Sequence, residues 1–128
     1  MNINDSVTSI LRLKGLKYRE VSYSYNETIN EDNIELTKKI EEKGDSDYLV
    51  ILSVHLSSSQ SFELKISLEG HFGIECDNKE MKDALINKNS VSILFPYIRS
   101  EITLITSQPN IQPIVLPPIN INSLLNQQ

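Results

Sequence analysis

The chain has 128 residues, 39% of them hydrophobic and 23% charged, which supplies one domain with a core of its own and is too apolar for a disordered chain. A formal charge of −5 excludes attachment to a phosphate backbone through clustered Lys and Arg. Cys76 is the only cysteine, so neither an internal disulfide nor a cysteine-based zinc site can form, as suits a reducing compartment.

Residues 1–6 lack the basic-then-apolar pattern of a signal peptide, and no apolar run nears the ~18 residues needed to span a bilayer. The expectation is a single domain over 1–128, cytoplasmic and not inserted in a membrane. Leu11 and Leu13, then Leu16 and Tyr18, then Val21, Tyr23 and Tyr25 alternate with polar residues, but the phase slips at Gly15 and again before Val21. A slip at a glycine marks a β-bulge, so a long, bent first strand is predicted. After a polar turn over 26–33, Ile34, Leu36 and Ile40 alternate with Glu35, Thr37, Lys39 and Glu41. A second strand is predicted there, with a helix as the competitor because Glu, Lys and Leu favour one.

Lys43-Gly44-Asp45-Ser46-Asp47 is a turn. A third strand follows over 48–56, and the fourth, 62–74, carries Phe62, Leu64, Ile66, Leu68, Phe72 and Ile74 at even positions. Period 2 sustained this long does not fit a helix. Short connections predict an antiparallel sheet with one apolar and one wetted face.

Beyond Cys76, Asp77 or Asn78 can cap a short helix over 79–86, broken by Asn87-Lys88-Asn89. A longer helix is predicted over 91–107, with Pro96 making its first turn irregular or kinked. A proline-rich tail follows, and Asn122 or Ser123 can cap a last turn through Leu124 and Leu125. Strands followed by helices predict an α+β fold.

At 100° per residue the long helix shows a stripe of Val91, Leu94, Phe95, Ile98, Ile102 and Ile105 beside a second of Ile93, Tyr97 and Leu104. Together they cover roughly 200°, interrupted by Glu101, where a helix on one sheet needs only about 100°. Ser92, Pro96, Arg99, Ser100, Thr103 and Ser107 fill the remaining face. The second stripe needs another surface: a second subunit, the proline-rich tail or a bound ligand. Oligomerisation through this helix is the expectation, with Ile93, Tyr97, Glu101 and Leu104 at the interface.

Chemistry-bearing constellations are missing from the sequence. His55 and His71 fall among polar-phase strand residues, the four glycines match no phosphate-cradling fingerprint, and Ser57-Ser58-Ser59 has no nucleophile-elbow context. The acidic residues between Glu27 and Glu42, interleaved with Lys38 and Lys39, read as a solvated face. No catalytic residue, metal site or cofactor is expected.

The run Ile93-Leu94-Phe95-Pro96-Tyr97-Ile98-Arg99-Ser100-Glu101-Ile102 resembles the signature that opens the long helix of the SecB family. The similarity continues through Leu116-Pro117-Pro118-Ile119-Asn120-Ile121-Asn122 and Ser123-Leu124-Leu125, and Gly70-His71-Phe72-Gly73-Ile74 resembles the end of the family's last strand. The match covers about residues 8 to 126. The resemblance implies a four-stranded antiparallel sheet carrying one long helix and a short C-terminal helix. It also implies a homotetramer built as a dimer of dimers with the helices at the interface.

In function it implies an ATP-independent holdase whose apolar grooves bind unfolded preproteins and keep them competent for SecA-driven export. By analogy and pattern the groove residues are Tyr23, Tyr25 and Ile29 with Leu116, Ile119, Ile121, Leu124 and Leu125. Two departures from the export chaperones stand out. The outer sheet positions that would dock the SecA motor carry a mixed set, Glu20, Ser24, Glu63 and Lys65, and the sequence ends at Gln128 without the extended polar tail. Two alternatives follow: a dedicated chaperone of a single partner, such as an antitoxin, and an oligomeric scaffold with no client.

Overall fold

The computed structural model describes residues 10–25, 33–58, 62–110, 112–116 and 120–126. Four strands, β1 (Ile10–Tyr25), β2 (Asn33–Glu42), β3 (Asp47–Ser58) and β4 (Phe62–Glu75), form one antiparallel sheet in the order β1-β4-β3-β2. β1 and β2, neighbours in sequence, therefore lie at opposite edges. β4 is central, and its alternating Phe62, Leu64, Ile66, Leu68, Phe72 and Ile74 are all buried. β2 is a strand despite its helix-forming residues, because Leu36 is buried in the core and Ile34 and Ile40 pack against it while its polar residues pair along β3. The turn before β3 closes with Lys43 N–H donating to Asp47 O at 2.8 Å.

Both predicted phase slips are real. The register against β4 jumps between Leu13 and Gly15 and again between Tyr18 and Glu20, leaving Lys14 and Arg19 as the extra residues. Each bulge turns the side chains over once. The effect is to keep one face apolar: Leu11, Leu13, Leu16, Tyr18, Val21, Tyr23 and Tyr25 oppose Ile74, Phe72, Gly70, Leu68, Ile66, Leu64 and Phe62. The bulged Lys14 lays its stem over Gly73 and reaches Asp47 at 2.7 Å, with His71 3.5 Å from the same oxygen. The hydrogen bond from Lys14 holds the Asp47 carboxyl below its ordinary pKa.

The helical layer opens at α1 (Lys79–Ala84), capped by Asn78 Oδ1 accepting from Met81 N–H at 3.1 Å. The predicted break at Asn87-Lys88-Asn89 does not occur. The chain stays helical through a wider π-type turn, Leu85–Asn89, and runs directly into α2 (Ser90–Thr106). Polar side chains satisfy carbonyls in this turn: Asn87 Nδ2 donates to Asp83 O at 2.8 Å, and the buried Ser90 hydroxyl donates to Ile86 O. α2 also passes through Pro96 without interruption.

α2 packs on β3 and β4, burying Val91, Leu94, Phe95, Ile98 and Ile102. It presses hardest at Gly70, where a Cβ would lie 2.7 Å from Leu94 Cδ2 and from Phe72 Cε2. After α2, residues 112–116 lie back along it as a strap, and α3 (Ile121–Asn126) packs on α2 and β2. Asn120, not Asn122 or Ser123, caps α3, its Oδ1 accepting from Ser123 N–H at 3.2 Å.

Two threonines pin the strap. Thr106 Oγ1 accepts from Ile114 N–H at 2.8 Å and donates to Ile102 O at 2.7 Å, while Thr103 Oγ1 donates to Ile114 O at 2.8 Å. Thr106 is fully buried, so Thr106→Val keeps the shape but strands the Ile114 N–H away from water. The expected loss is about 1–3 kcal/mol by urea unfolding; an unchanged midpoint would mean the strap does not depend on this clamp.

Candidate client-binding and assembly surface

Because α2 lies over β3 and β4, no helix among the described residues packs extensively on β1. Leu16, Tyr18, Val21 and Tyr25 thus share the helix-side face of the sheet yet remain exposed. The exposed flank of α2 continues this surface. Tyr97 is 45% exposed and Leu104 67%; Val115, 72% exposed, stands on the strap along the other flank of α2. Tyr18 joins strand to helix, its hydroxyl donating to Tyr97 O at 3.1 Å. Burial, and to a smaller degree the Glu101 carboxylate, push its phenol above the usual tyrosine pKa.

Each large apolar side chain left in water forgoes roughly 1.5–3 kcal/mol of burial. Several on one face mark a surface built to be covered. Its chemistry is non-directional apolar burial, tolerant of many sequences, with Glu101 and the tyrosine hydroxyls as its polar points.

The residues expected at the client groove do not come together on one subunit. Tyr23 is half-buried and Tyr25 exposed at the end of β1, their rings 6.5 Å apart. The Tyr23 hydroxyl is buried and, among the described residues, has no hydrogen-bond partner. Leu116 and Ile121 are buried core residues, and Leu124 and Leu125 pack against that core. α3 lies on the β2 flank of α2, at the sheet edge opposite Tyr23 and Tyr25. Ile29 and Ile119 lie outside the described residues. Of the expected interface set, Ile93 is partly buried against the core, Glu101 is half-buried, and Tyr97 and Leu104 are exposed.

Leu16, Tyr18, Val21 and Val115 were not singled out as surface residues by sequence reasoning. Alternation places the first three on the apolar face, but only the strand order shows that, among the described residues, no further strand pairs with that edge.

The opposite sheet face is a mixture of charges. Glu20 opposes Ser67 and Ser24 opposes Glu63 across strands. Lys65 Nζ lies 3.7 Å from Glu63, and Arg19 lies 3.9 Å from Glu69. His55 sits between Glu63, 3.4 Å from its Nε2, and Glu35, 3.9 Å from its Nδ1. Among the described residues no three His, Cys, Asp or Glu side chains are placed to hold a metal ion, and no helix is long and apolar enough to cross a membrane.

This architecture has known counterparts. A SecB-like chaperone of Mycobacterium tuberculosis, solved in complex with a ChAD peptide from the HigA1 antitoxin, superposes with a TM-score of 0.69 at 14% identity over 85% of this chain and 90% of that one. A Streptococcus agalactiae protein of unknown function superposes with a TM-score of 0.56 at 9% identity, over 86% of this chain and 98% of that one. In sequence, an uncharacterized protein of Methanocaldococcus jannaschii is 27% identical over 90% of this chain and 82% of its own length. The protein-export protein SecB of Dechloromonas aromatica is 32% identical over 66% of this chain, a match spanning 59% of that protein. For the SecB of Alkalilimnicola ehrlichii the matched share of the relative is 53%. The family model described as preprotein translocase subunit SecB matches residues 20–128, taking in the last third of β1, the rest of the sheet and the whole helical layer. By that match, and by a sheet, long helix and short C-terminal helix of the same design, this chain belongs to the SecB family.

Proposed function

We propose that this protein is an ATP-independent holdase that assembles into a homotetramer in the cytoplasm and binds unfolded preproteins, keeping them fit for Sec-dependent export. One observation carries the reading: the row of exposed apolar side chains from Leu16, Tyr18, Val21 and Tyr25 on β1 to Tyr97 and Leu104 on α2. A surface of this kind holds extended chains by apolar burial, and several copies on one assembly raise affinity through effective concentration. Tyr97, Glu101 and Leu104 supply the contact between subunits, with Ile93 beneath them. Tyr23 and Tyr25 lie on the client side, and Ile29 with the tail residues Leu116, Ile119, Ile121, Leu124 and Leu125 shapes or supports the groove.

A second reading has support of its own: a dedicated chaperone of one partner. The mixed charges of Glu20, Glu63, Lys65 and His55 on the outer face offer little to a motor that docks on acidic residues. The related fold that carries an antitoxin peptide points the same way.

The test is suppression of aggregation of a reduced, unfolded protein. Stoichiometric tetramer is expected to hold light scattering near baseline without nucleotide; unchanged aggregation would remove both chaperone readings and leave an oligomeric scaffold. A pull-down with the SecA motor then separates export from dedicated service, capture favouring export.

A further inference from the structure

Glu101 stands in the middle of the exposed row on α2, with Tyr97 four residues before it and Leu104 three residues after it. Those spacings put all three on one face of the helix. Glu101 is half-buried, and among the described residues its carboxylate makes no ion pair or hydrogen bond. Carboxylates on the other sheet face are provided for: Asp47, Glu41, Glu63 and Glu69 each lie within reach of a Lys or Arg.

Among the described residues no cation is placed to answer Glu101. Tyr18 on β1 is the titratable group that faces it, close enough for the carboxylate to act on the phenol. The neighbours of Tyr18, Lys17 and Arg19, belong to the opposite sheet face beside Glu69. Arg99, the one basic residue of α2, lines the groove on the far flank of the helix. The side chains that β3 and β4 bury under α2 are uncharged, and neither the strap nor α3 contains an ionisable residue.

A second copy seated on this row about a twofold axis that crosses the helix runs its α2 antiparallel to the first. Tyr97 of each copy then meets Leu104 of the other, because the two flank Glu101 almost symmetrically, and Glu101 meets Glu101. Two carboxylates taken out of water side by side repel, and one proton shared between them removes the repulsion. We infer that the subunit contact through α2 takes up a proton from solvent at the Glu101 pair, so that assembly tightens as pH falls. The sign follows from mass action: the joined pair holds one more proton than the two separate subunits, so acid favours the joined side. The inference rests on the proposed assembly and adds a control to it, since the avidity that comes with joined sites then rises and falls with pH.

Light scattering over a dilution series, from pH 7.5 to pH 5.5, tests it on the full chain. The dissociation constant is expected to fall by about tenfold or more across this range, with a limiting slope of tenfold per pH unit for one proton per contact. Glu101→Gln keeps the shape and removes the charge. It should assemble about tenfold or more tightly than the unmodified chain at pH 7.5 and lose the pH dependence. Glu101→Asp, which keeps the charge, should keep the slope, a result that a purely structural role for this side chain does not give. His55 and His71 change charge in the same range but lie on the opposite sheet face; His55→Gln and His71→Gln should leave the slope as it is.

A dissociation constant that does not vary with pH in the unmodified chain overturns the inference and leaves the assembly standing. So does an equal slope in Glu101→Gln, or a slope that disappears with either histidine. A single-copy mass at every pH, in the unmodified chain and in Glu101→Gln alike, overturns the assembly reading itself.

Discussion

Gly70→Ala is expected to lower the stability of the folded subunit by about 1–3 kcal/mol, the usual cost of forcing one more carbon into a packed core. The added Cβ would stand 2.7 Å from Leu94 Cδ2 and 2.7 Å from Phe72 Cε2. Both side chains are fully buried, so neither has an empty space to swing into. Relief requires α2 to rise from the sheet, which thins the contact along Val91, Ile98 and Ile102 as well. Gly70 has no positive φ, so its need for glycine is for room and not for backbone freedom. Urea unfolding checks this directly. Gly44→Ala is the control, since a Cβ there meets nothing within 4 Å, and it should be near neutral. Gly73→Ala falls between, because its Cβ meets the Lys14 Cε at 2.5 Å and a half-exposed lysine stem can move aside. Equal midpoints for Gly70→Ala and Gly44→Ala would show that α2 does not bear on the sheet at this point.

Much of this fold is legible from period alone. The even-numbered apolar run of β4 and the stripe Val91, Leu94, Phe95, Ile98 and Ile102 report the two faces that meet in the core. The two slips in β1 are read correctly because a bulge must displace the alternation by one. Long-range pairing is what local pattern does not carry. Nothing within residues 10–25 states that they lie beside β4 and not β2, and that choice decides whether Leu16, Tyr18 and Val21 are core or surface. The same blindness runs in reverse for Leu116 and Ile121, apolar residues in a proline-rich tail that become core because Thr103 and Thr106 draw the strap onto α2. Asn87-Lys88-Asn89 reads as a breaker since Asn favours turns. The wider helical turn absorbs it by letting Asn87 and Ser90 bond back to carbonyls one turn earlier.

If the proposed homotetramer forms through α2, Tyr97→Glu is expected to split it while leaving each subunit folded. Tyr97 is 45% exposed in the isolated subunit and belongs neither to the core nor to the side chains packed on it, so the substitution leaves the core intact. The one polar link at this position, from the Tyr18 hydroxyl, goes to the Tyr97 backbone carbonyl and survives a change of side chain. In the assembly the arithmetic differs. A twofold contact presents the same residue from both copies, so each interface loses two aromatic anchors and gains two carboxylates beside the Glu101 already on this flank. An interfacial tyrosine that acts as an anchor contributes about 2 kcal/mol or more, and two of them shift dissociation by roughly three orders of magnitude. Light scattering at micromolar concentration should therefore report a smaller particle, with the circular dichroism of the sheet retained. Client affinity should fall with the mass, because joined sites gain avidity that separate subunits lack. Leu104→Glu, on the same exposed flank, should behave alike. A particle of unaltered mass in both variants would place the subunit contact elsewhere and leave the exposed flank of α2 to the client alone.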